Sequence, residues 1–236
     1  MTGRPASAVL PPPLRPWLGT AAALAALVVV VLGILYAGHS EPGGLDTWLV
    51  RPTADSVRPP LRYAALATDF LGEPAGAVIL VAATVTGCLL LRHPRAAVFA
   101  VAAVGMAVGT ATLLKRLVGR TIHGDANLSY PSGHTAFLTA LALVVALLAT
   151  GRFSLGRTAG ASLVLAAALV AGATMGWAQV ALGAHYPTDV LGGWCTALAV
   201  TPATAWLTDR TADRLADRRA DRTADRTADA GRHQTH

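Results

Sequence analysis

Six long apolar runs dominate the pattern of hydrophobic and polar positions along the chain. They are rich in Ala, Val, Leu and Gly, and they span residues 17–37, 76–91, 96–114, 133–150, 158–181 and 188–207. A helix that crosses a bilayer needs about 20 mostly apolar residues, with a lower limit near 17. The strict alternation of polar and apolar residues that marks a membrane barrel does not occur along these runs. The pattern predicts an all-α fold, a polytopic bundle of six transmembrane helices.

The segment between the first two runs, residues 38–75, has a different pattern. Pro and Gly lie near its ends, and apolar and aromatic residues such as Trp48, Tyr63 and Phe70 lie between them. Aromatic side chains favour the headgroup level of a membrane. The segment therefore predicts one or two short interfacial helices on the external side, where they could shape an entrance for lipid. A surface loop packed on the bundle explains the pattern equally well.

The C-terminal residues 208–236 form an approximate four-residue repeat. Asp recurs at positions 209, 213, 217, 221, 225 and 229, and Arg usually follows it. Such a segment has nearly balanced charge and little apolar surface to bury, so it cannot fold alone. We therefore predict three parts: an N-terminal segment 1–16, a membrane domain 17–207, and a low-complexity tail 208–236 that is a frayed helix or disordered.

Composition and charge set the orientation. The chain is 53% hydrophobic and only 14% charged, and its net charge of +6 comes from arginines in loops and in the tail. Most basic residues fall in segments 1–16, 92–95, 151–157 and 208–236, which lie on one side of a six-span bundle. The positive-inside rule then predicts a multi-pass plasma-membrane protein with both termini cytoplasmic. It also explains the charge without nucleic-acid binding, and nothing in the pattern indicates an oligomeric state.

Two short segments carry the candidate chemistry, Tyr130–His134 and His185–Asp189. Each places a histidine beside the end of an apolar run, on the predicted external face. Ionisable residues at such positions are functional candidates because they are costly near lipid. The spacing of His185 and Asp189 lets a carboxylate keep one imidazole nitrogen protonated, while the other nitrogen is free to attack. Together the segments predict phosphoryl chemistry on a lipid.

The order of three motifs resembles the type 2 phosphatidic acid phosphatase family. The motifs are Lys115 with Gly119-Arg120, then Pro131–His134, then His185–Asp189, and the resemblance extends over roughly residues 17–207. A His-x3-Asp about fifty residues after Pro-Ser-Gly-His, on the same face, makes the match specific. The resemblance implies a metal-independent enzyme without a cofactor, whose substrate is a lipid phosphate in the bilayer and whose intermediate is a phosphohistidine.

The resemblance also implies residue roles. His185 is the nucleophile, Asp189 orients it, and His134 is the general acid and then the base that activates water. Ser132 and the Gly133 N–H begin the fourth span, and a helix N-terminus attracts anions. The residues expected to hold the phosphate are Lys115, Arg120, Ser132, Gly133 and Gln179.

The chain departs from the family pattern at two arginines. The first motif is Lys-x6-Arg-Pro, but the last two positions here hold Ile122 and His123. The third motif opens with Ser-Arg, where this chain has Ala178 and Gln179. Gln179 can still donate hydrogen bonds, although neutral ones are weaker than those of a guanidinium. We therefore expect a site that tolerates a less charged phosphoryl group and uses soluble phosphate monoesters poorly.

Three functions remain open from the sequence. The first is a lipid phosphatase acting on a polyprenyl phosphate, polyprenyl diphosphate or phosphatidate. The second is a phosphotransferase, since Ser132–Thr135 and His185–Val190 are also similar to elements of the sphingomyelin-synthase group. The third is a catalytically weak lipid-binding protein. Lys115 with Gly119-Arg120 favours the first function, and the intact histidines argue against the third.

Overall fold

The computed structural model describes residues 8–233, and in this range the chain consists of helices joined by loops. The all-α prediction is confirmed. After a short 3₁₀ turn at Pro12–Leu14 the helices are α1 (Arg15–Leu35), α2 (Gly44–Ser56), α3 (Leu61–Phe70), α4 (Pro74–Leu90), α5 (Pro94–Val118), α6 (Gly133–Arg152), α7 (Arg157–Ala181) and α8 (Pro187–His233).

Five helical stretches in the described part are long and apolar enough to span a membrane. They are the 3₁₀ turn with α1, then α5, α6, α7, and α8 as far as Arg218. The predicted span 76–91 corresponds to α4, which has 17 residues and meets α3 at a bend of 61°. Counting α3 and α4 as one broken span gives the six that the apolar runs predicted.

Helix α6 lies at the centre of the bundle and packs against α5, α7 and α8. The interior is built largely from Ala with a few larger residues such as Phe99 and Leu143, because small side chains let membrane helices approach closely. Gly193 on α8 is a clear case, since a Cβ there would overlap the carbonyl oxygen of Ser132. This close approach brings the starts of α6 and α8 together.

The segment 38–75 contains the two short helices α2 and α3. Both pack against α7, and α2 also packs against α8. The aromatic rings of Trp48, Tyr63 and Phe70 are exposed, whereas Asp46 on α2 is completely buried. The segment is thus part of the folded bundle, and it carries the charged residue Asp46 into the interior.

The first turn of the C-terminal repeat belongs to the folded bundle. Helix α8 runs on without a break past residue 207, and the buried Asp209 carboxylate accepts hydrogen bonds from the N–H groups of Val9 (2.9 Å) and Leu10 (3.0 Å). Arg95 lies 2.7 Å from the same carboxylate. The repeat was expected to have little surface to bury, whereas its first turn is buried against the N-terminal segment. The outer ends of the predicted segments 1–16 and 208–236 lie outside the described residues.

Candidate active site

The two motif segments meet at one end of the bundle, which we call the site end. There α5 and α7 finish, α6 and α8 begin, and α2 and α3 pack alongside. The Ser132 N–H donates a hydrogen bond to the Asp189 carbonyl over 2.9 Å, so the segments are directly joined. Tyr130 is fully buried beside them, and its hydroxyl donates to the Val29 carbonyl of α1 over 2.7 Å. The segments are thereby fixed to both α1 and α8.

His185 and Asp189 lie together at the start of α8. His185 Nδ1 is 3.7 Å from Asp189 Oδ2, and both side chains are buried. That separation is slightly longer than a hydrogen bond, and Nδ1 has no hydrogen-bond partner among the described residues. Burial lowers the pKa of His185, while the neighbouring Asp189 carboxylate opposes the shift. The net shift favours the neutral imidazole, which is the form that can act as a nucleophile.

His134 is the second residue of α6, two positions after the N-cap Ser132. Ser132 caps the helix, with its Oγ accepting a hydrogen bond from the Thr135 N–H at 3.4 Å. Nε2 of His134 lies 3.6 Å from a carboxylate oxygen of Asp69 and 3.6 Å from one of Glu73. These two acidic residues were not among the predicted site residues, because no motif marks the α3–α4 connection.

The bend between α3 and α4 covers the ring of His134. Gly72 lies in this bend, and a Cβ added there would overlap the imidazole. Only glycine therefore permits this approach without displacing the ring or the bend. Asp69 and Glu73 flank Gly72, so the bend sets both their positions.

Asp69, Glu73 and His134 are also the residues that could hold a metal ion. Their ligand atoms all lie within 4.8 Å of one another. Two carboxylates and an imidazole are a donor set that fits Zn²⁺ or a similar divalent ion. An ion bound there would occupy Nε2 of His134 and prevent it from transferring a proton.

Arg120 is fully buried between two carboxylates. Its Nη1 donates to Asp189 Oδ1 and its Nη2 to Asp46 Oδ2, each over 2.7 Å. The guanidinium also stacks between the rings of Tyr36 and Tyr186, 4.1 and 4.6 Å from their centroids. The predicted contact of Arg120 with a phosphate stays a prediction, and the contacts that the structure shows are to carboxylates.

The other predicted phosphate-binding residues line the same end. Lys115, in the last turn of α5, donates to the Leu128 carbonyl over 2.9 Å. Gln179, near the end of α7, is almost completely buried, and its Nε2 donates to Asp69 Oδ1 over 2.5 Å. The side chain of Ile122 is buried. At the two positions where the motif resemblance leads us to expect arginines, the structure has a buried Ile and a Gln that bonds to Asp69.

These features define a class of protein: an all-helical membrane protein with two histidine-bearing segments joined at one end of its bundle. The model of the PAP2 superfamily matches residues 16–212, and the chain belongs to that superfamily. The resemblance recognised from the motifs is thereby confirmed.

A solved structure agrees with this assignment at the level of the fold. It is the first transmembrane PAP2-type phosphatidylglycerolphosphate phosphatase from Bacillus subtilis, with a TM-score of 0.66 and 18% sequence identity. The match covers 80% of this chain and 96% of that one. A comparison with curated proteins finds no significant match. Superfamily membership supports a phosphatase that acts on a lipid in the membrane.

Proposed function

We propose that the protein hydrolyses a lipid phosphate or diphosphate at the external membrane face through a phosphohistidine intermediate. The observation that carries the proposal is the pairing of His185 with a buried carboxylate, on a segment bonded directly to the one that bears His134. Superfamily membership supports the reaction class. The predicted excess of loop arginines on the opposite side supports the external face.

The reaction follows from the two histidines. Nε2 of His185 attacks phosphorus, the bond from phosphorus to the leaving oxygen breaks, and His134 gives that oxygen a proton. His134 then removes a proton from water, which attacks the phosphohistidine and releases phosphate. Asp189 stabilises the His185 ring while the ring carries charge, as the carboxylate of a catalytic triad does.

Positive charge and helix-end dipoles hold the phosphate in this proposal. Lys115 donates only to a carbonyl among the described contacts, so no carboxylate at contact distance cancels its charge. Ser132 and the Gly133 N–H add the N-terminus of α6, and Gln179 adds a neutral donor. The terminal nitrogens of Arg120 bind Asp46 and Asp189. In this proposal its positive charge therefore acts on the phosphate from a greater distance, without direct contact.

A phosphotransferase is the second candidate function. Asp69 and Glu73 place two carboxylates beside His134, and Gln179 bonds to one of them. Carboxylates repel a bare dianionic phosphate but accept hydrogen bonds from hydroxyl or ammonium groups. They therefore suit a phosphodiester headgroup or an acceptor alcohol, with the alcohol taking the place of water in the second step.

Purified protein in detergent should be assayed for phosphate release from lipid monophosphates, diphosphates and phosphodiesters. We expect release from at least one lipid, unchanged by a chelator. His185→Ala should abolish both turnover and an acid-labile phosphoenzyme, and Asp189→Asn should slow turnover by about 10³-fold or more. His134→Ala should let the phosphoenzyme accumulate from an activated substrate.

Asp125→Asn is the matched control, because Asp125 is exposed on the loop between α5 and α6 at the same end. Transfer to an added alcohol would favour the second candidate. No phosphate release from any lipid would favour a lipid-binding protein without catalysis. Strict dependence on a divalent ion would contradict the proposed chemistry and direct attention to the group formed by Asp69, Glu73 and His134.

A further inference from the structure

Asp46 is a completely buried carboxylate that α2 inserts into the site end. Its Oδ2 accepts from Arg120 Nη2 over 2.7 Å, and its Oδ1 accepts from the Thr188 N–H over 2.9 Å and the Thr188 hydroxyl over 2.8 Å. The Gly43 N–H donates to Oδ2 over 3.0 Å. Asp46 thus bonds both to the arginine that binds Asp189 and to the residue just before Asp189.

Asp46, Thr188 and Asp189 all meet at the guanidinium of Arg120. Nη1 donates to Asp189 Oδ1 and lies 2.6 Å from the Thr188 hydroxyl, which in turn donates to Asp46. A guanidinium prefers to bind one carboxylate with two parallel hydrogen bonds. Here the fork is divided, with one terminal nitrogen on each acid. Because Asp46 takes Nη2, Arg120 meets only one oxygen of Asp189.

The other oxygen of Asp189 is the one that faces His185. Oδ2 accepts from the Tyr186 N–H over 3.1 Å and lies 3.7 Å from His185 Nδ1. Without Asp46 both terminal nitrogens of Arg120 would be free to bind the two oxygens of Asp189, which would turn the carboxylate away from the imidazole. A buried charge left without its partner is costly, and a second hydrogen bond to Asp189 would reduce that cost.

We propose that Asp46 is a positioning residue: it divides the Arg120 fork and holds the first turn of α8, so that Asp189 keeps one oxygen directed at His185. The role refers to the reaction proposed above and rests on it. The proposal also assigns a function to α2, because α2 supplies the carboxylate that aligns the nucleophile.

The first test is kinetic and compares Asp46→Asn with Asp125→Asn. Asparagine keeps the shape of Asp46 and loses its charge. We expect kcat to fall about 10- to 100-fold, as for a catalytic group displaced by an ångström, with KM little changed. Asp125→Asn should leave both constants unaltered. A wild-type kcat in Asp46→Asn would overturn the proposal.

Thr188→Val provides a variant that leaves every charge in place, in case the Asn variant does not fold. It removes the hydroxyl that links Asp46 to Nη1 of Arg120, and we expect a several-fold fall in kcat. The double variant Asp46→Asn with Arg120→Gln gives a second criterion. Since Arg120 also contributes to phosphate binding, Arg120→Gln alone is the reference: the double variant should lose less kcat than the product of the two single losses, whereas independent effects would multiply and contradict the proposal.

The second test does not depend on turnover. Diethyl pyrocarbonate modifies neutral imidazoles, and mass spectrometry measures its rate at His185 separately from other histidines. Loss of alignment with Asp189 should lower the rate at His185 several-fold in Asp46→Asn and in Asp189→Asn. A purely structural role would instead loosen the site and raise the rate at this buried histidine, which would overturn the proposal. The result stands even if no lipid is hydrolysed, so failure of the proposed function is recognised separately.

Discussion

Ile122 and Gln179 lie at the two positions where the motif resemblance leads us to expect arginines. The side chain of Ile122 is buried and offers no donor. The amide of Gln179 donates a hydrogen bond to Asp69, which lies beside His134. The described part of the site end therefore combines the cations Lys115 and Arg120 with a larger number of carboxylates. From this balance of charge we expect substrates that carry less negative charge or additional hydrogen-bond donors.

Restoring the missing guanidinium tests this balance. In Gln179→Arg, Asp69 is in position to pair with the new cation, so the single variant should gain little. In Gln179→Arg with Asp69→Asn, turnover of a lipid monophosphate should rise about five- to tenfold, because a charge-assisted hydrogen bond is worth about 1 kcal/mol more than a neutral one.

Asp69→Asn alone is the control, measured with the same lipid by phosphate release. If the double variant instead loses activity on the preferred lipid, Gln179 recognises a group other than bare phosphate. That result would favour the phosphotransferase.

Site residues could be predicted when their partners are close in the sequence, and could not when their partners are distant. His134, His185 and Asp189 lie in short motifs, and the spacing of His185 and Asp189 on one helical turn is visible in the sequence. Asp46 and Asp69 gain their importance through partners that are distant in the sequence, such as Thr188 at 142 positions from Asp46 and Gln179 at 110 positions from Asp69. No local pattern marks such contacts, and the roles of both acids emerge only in the folded chain.

Among the elements, the apolar runs predicted the helices well because a membrane leaves the backbone few alternatives. The predicted starts and ends of α6 and α7 differ from the observed ones by two residues or fewer. Helix α8 was the exception. Its repeat has low hydrophobicity, but Asp209 finds backbone donors near the N-terminus, and a distant partner of this kind leaves no trace in the pattern.

The contact between α8 and the N-terminal segment gives a stability prediction. Asp209→Asn, or truncation after Thr208, should lower the free energy of unfolding by about 1–3 kcal/mol, because buried N–H groups and Arg95 lose a charged acceptor. Catalytic activity below the unfolding temperature should survive, since the site lies at the other end of the bundle. Thermal unfolding in detergent measures the effect.

Asp213→Asn is the matched control for this experiment. Asp213 lies one turn further along α8, 3.1 Å from Arg95, but its side chain is 69% exposed. Exposed ion pairs contribute little, so this variant should unfold like the wild type. Equal unfolding temperatures for Asp209→Asn and Asp213→Asn would contradict the stabilising role of Asp209.

For the whole molecule, orientation is the property on which an external site depends. Reporters fused after Arg95 or after Arg157 should be cytoplasmic, and a reporter placed near Asp125 should be external. We expect this arrangement because arginines are concentrated in the loops on one side. Protease protection or a compartment-specific reporter enzyme measures the side on which each reporter lies. The opposite pattern would place the histidines on the cytoplasmic side and contradict the proposed external reaction.

The bent pair α3–α4 has a consequence for the depth of the site in the bilayer. The 17 residues of α4 rise about 25 Å, whereas the hydrocarbon core is about 30 Å thick. Because α3 leaves the axis of α4 at 61°, its ten residues add only about 7 Å along that axis, which brings the bent pair to about the thickness of the core. With the far end of α4 at one interface, the bend over His134 lies about 5 Å inside the other surface of the hydrocarbon. A phosphate would then meet the imidazole slightly below the headgroup level, while its acyl or prenyl chain stays in the membrane.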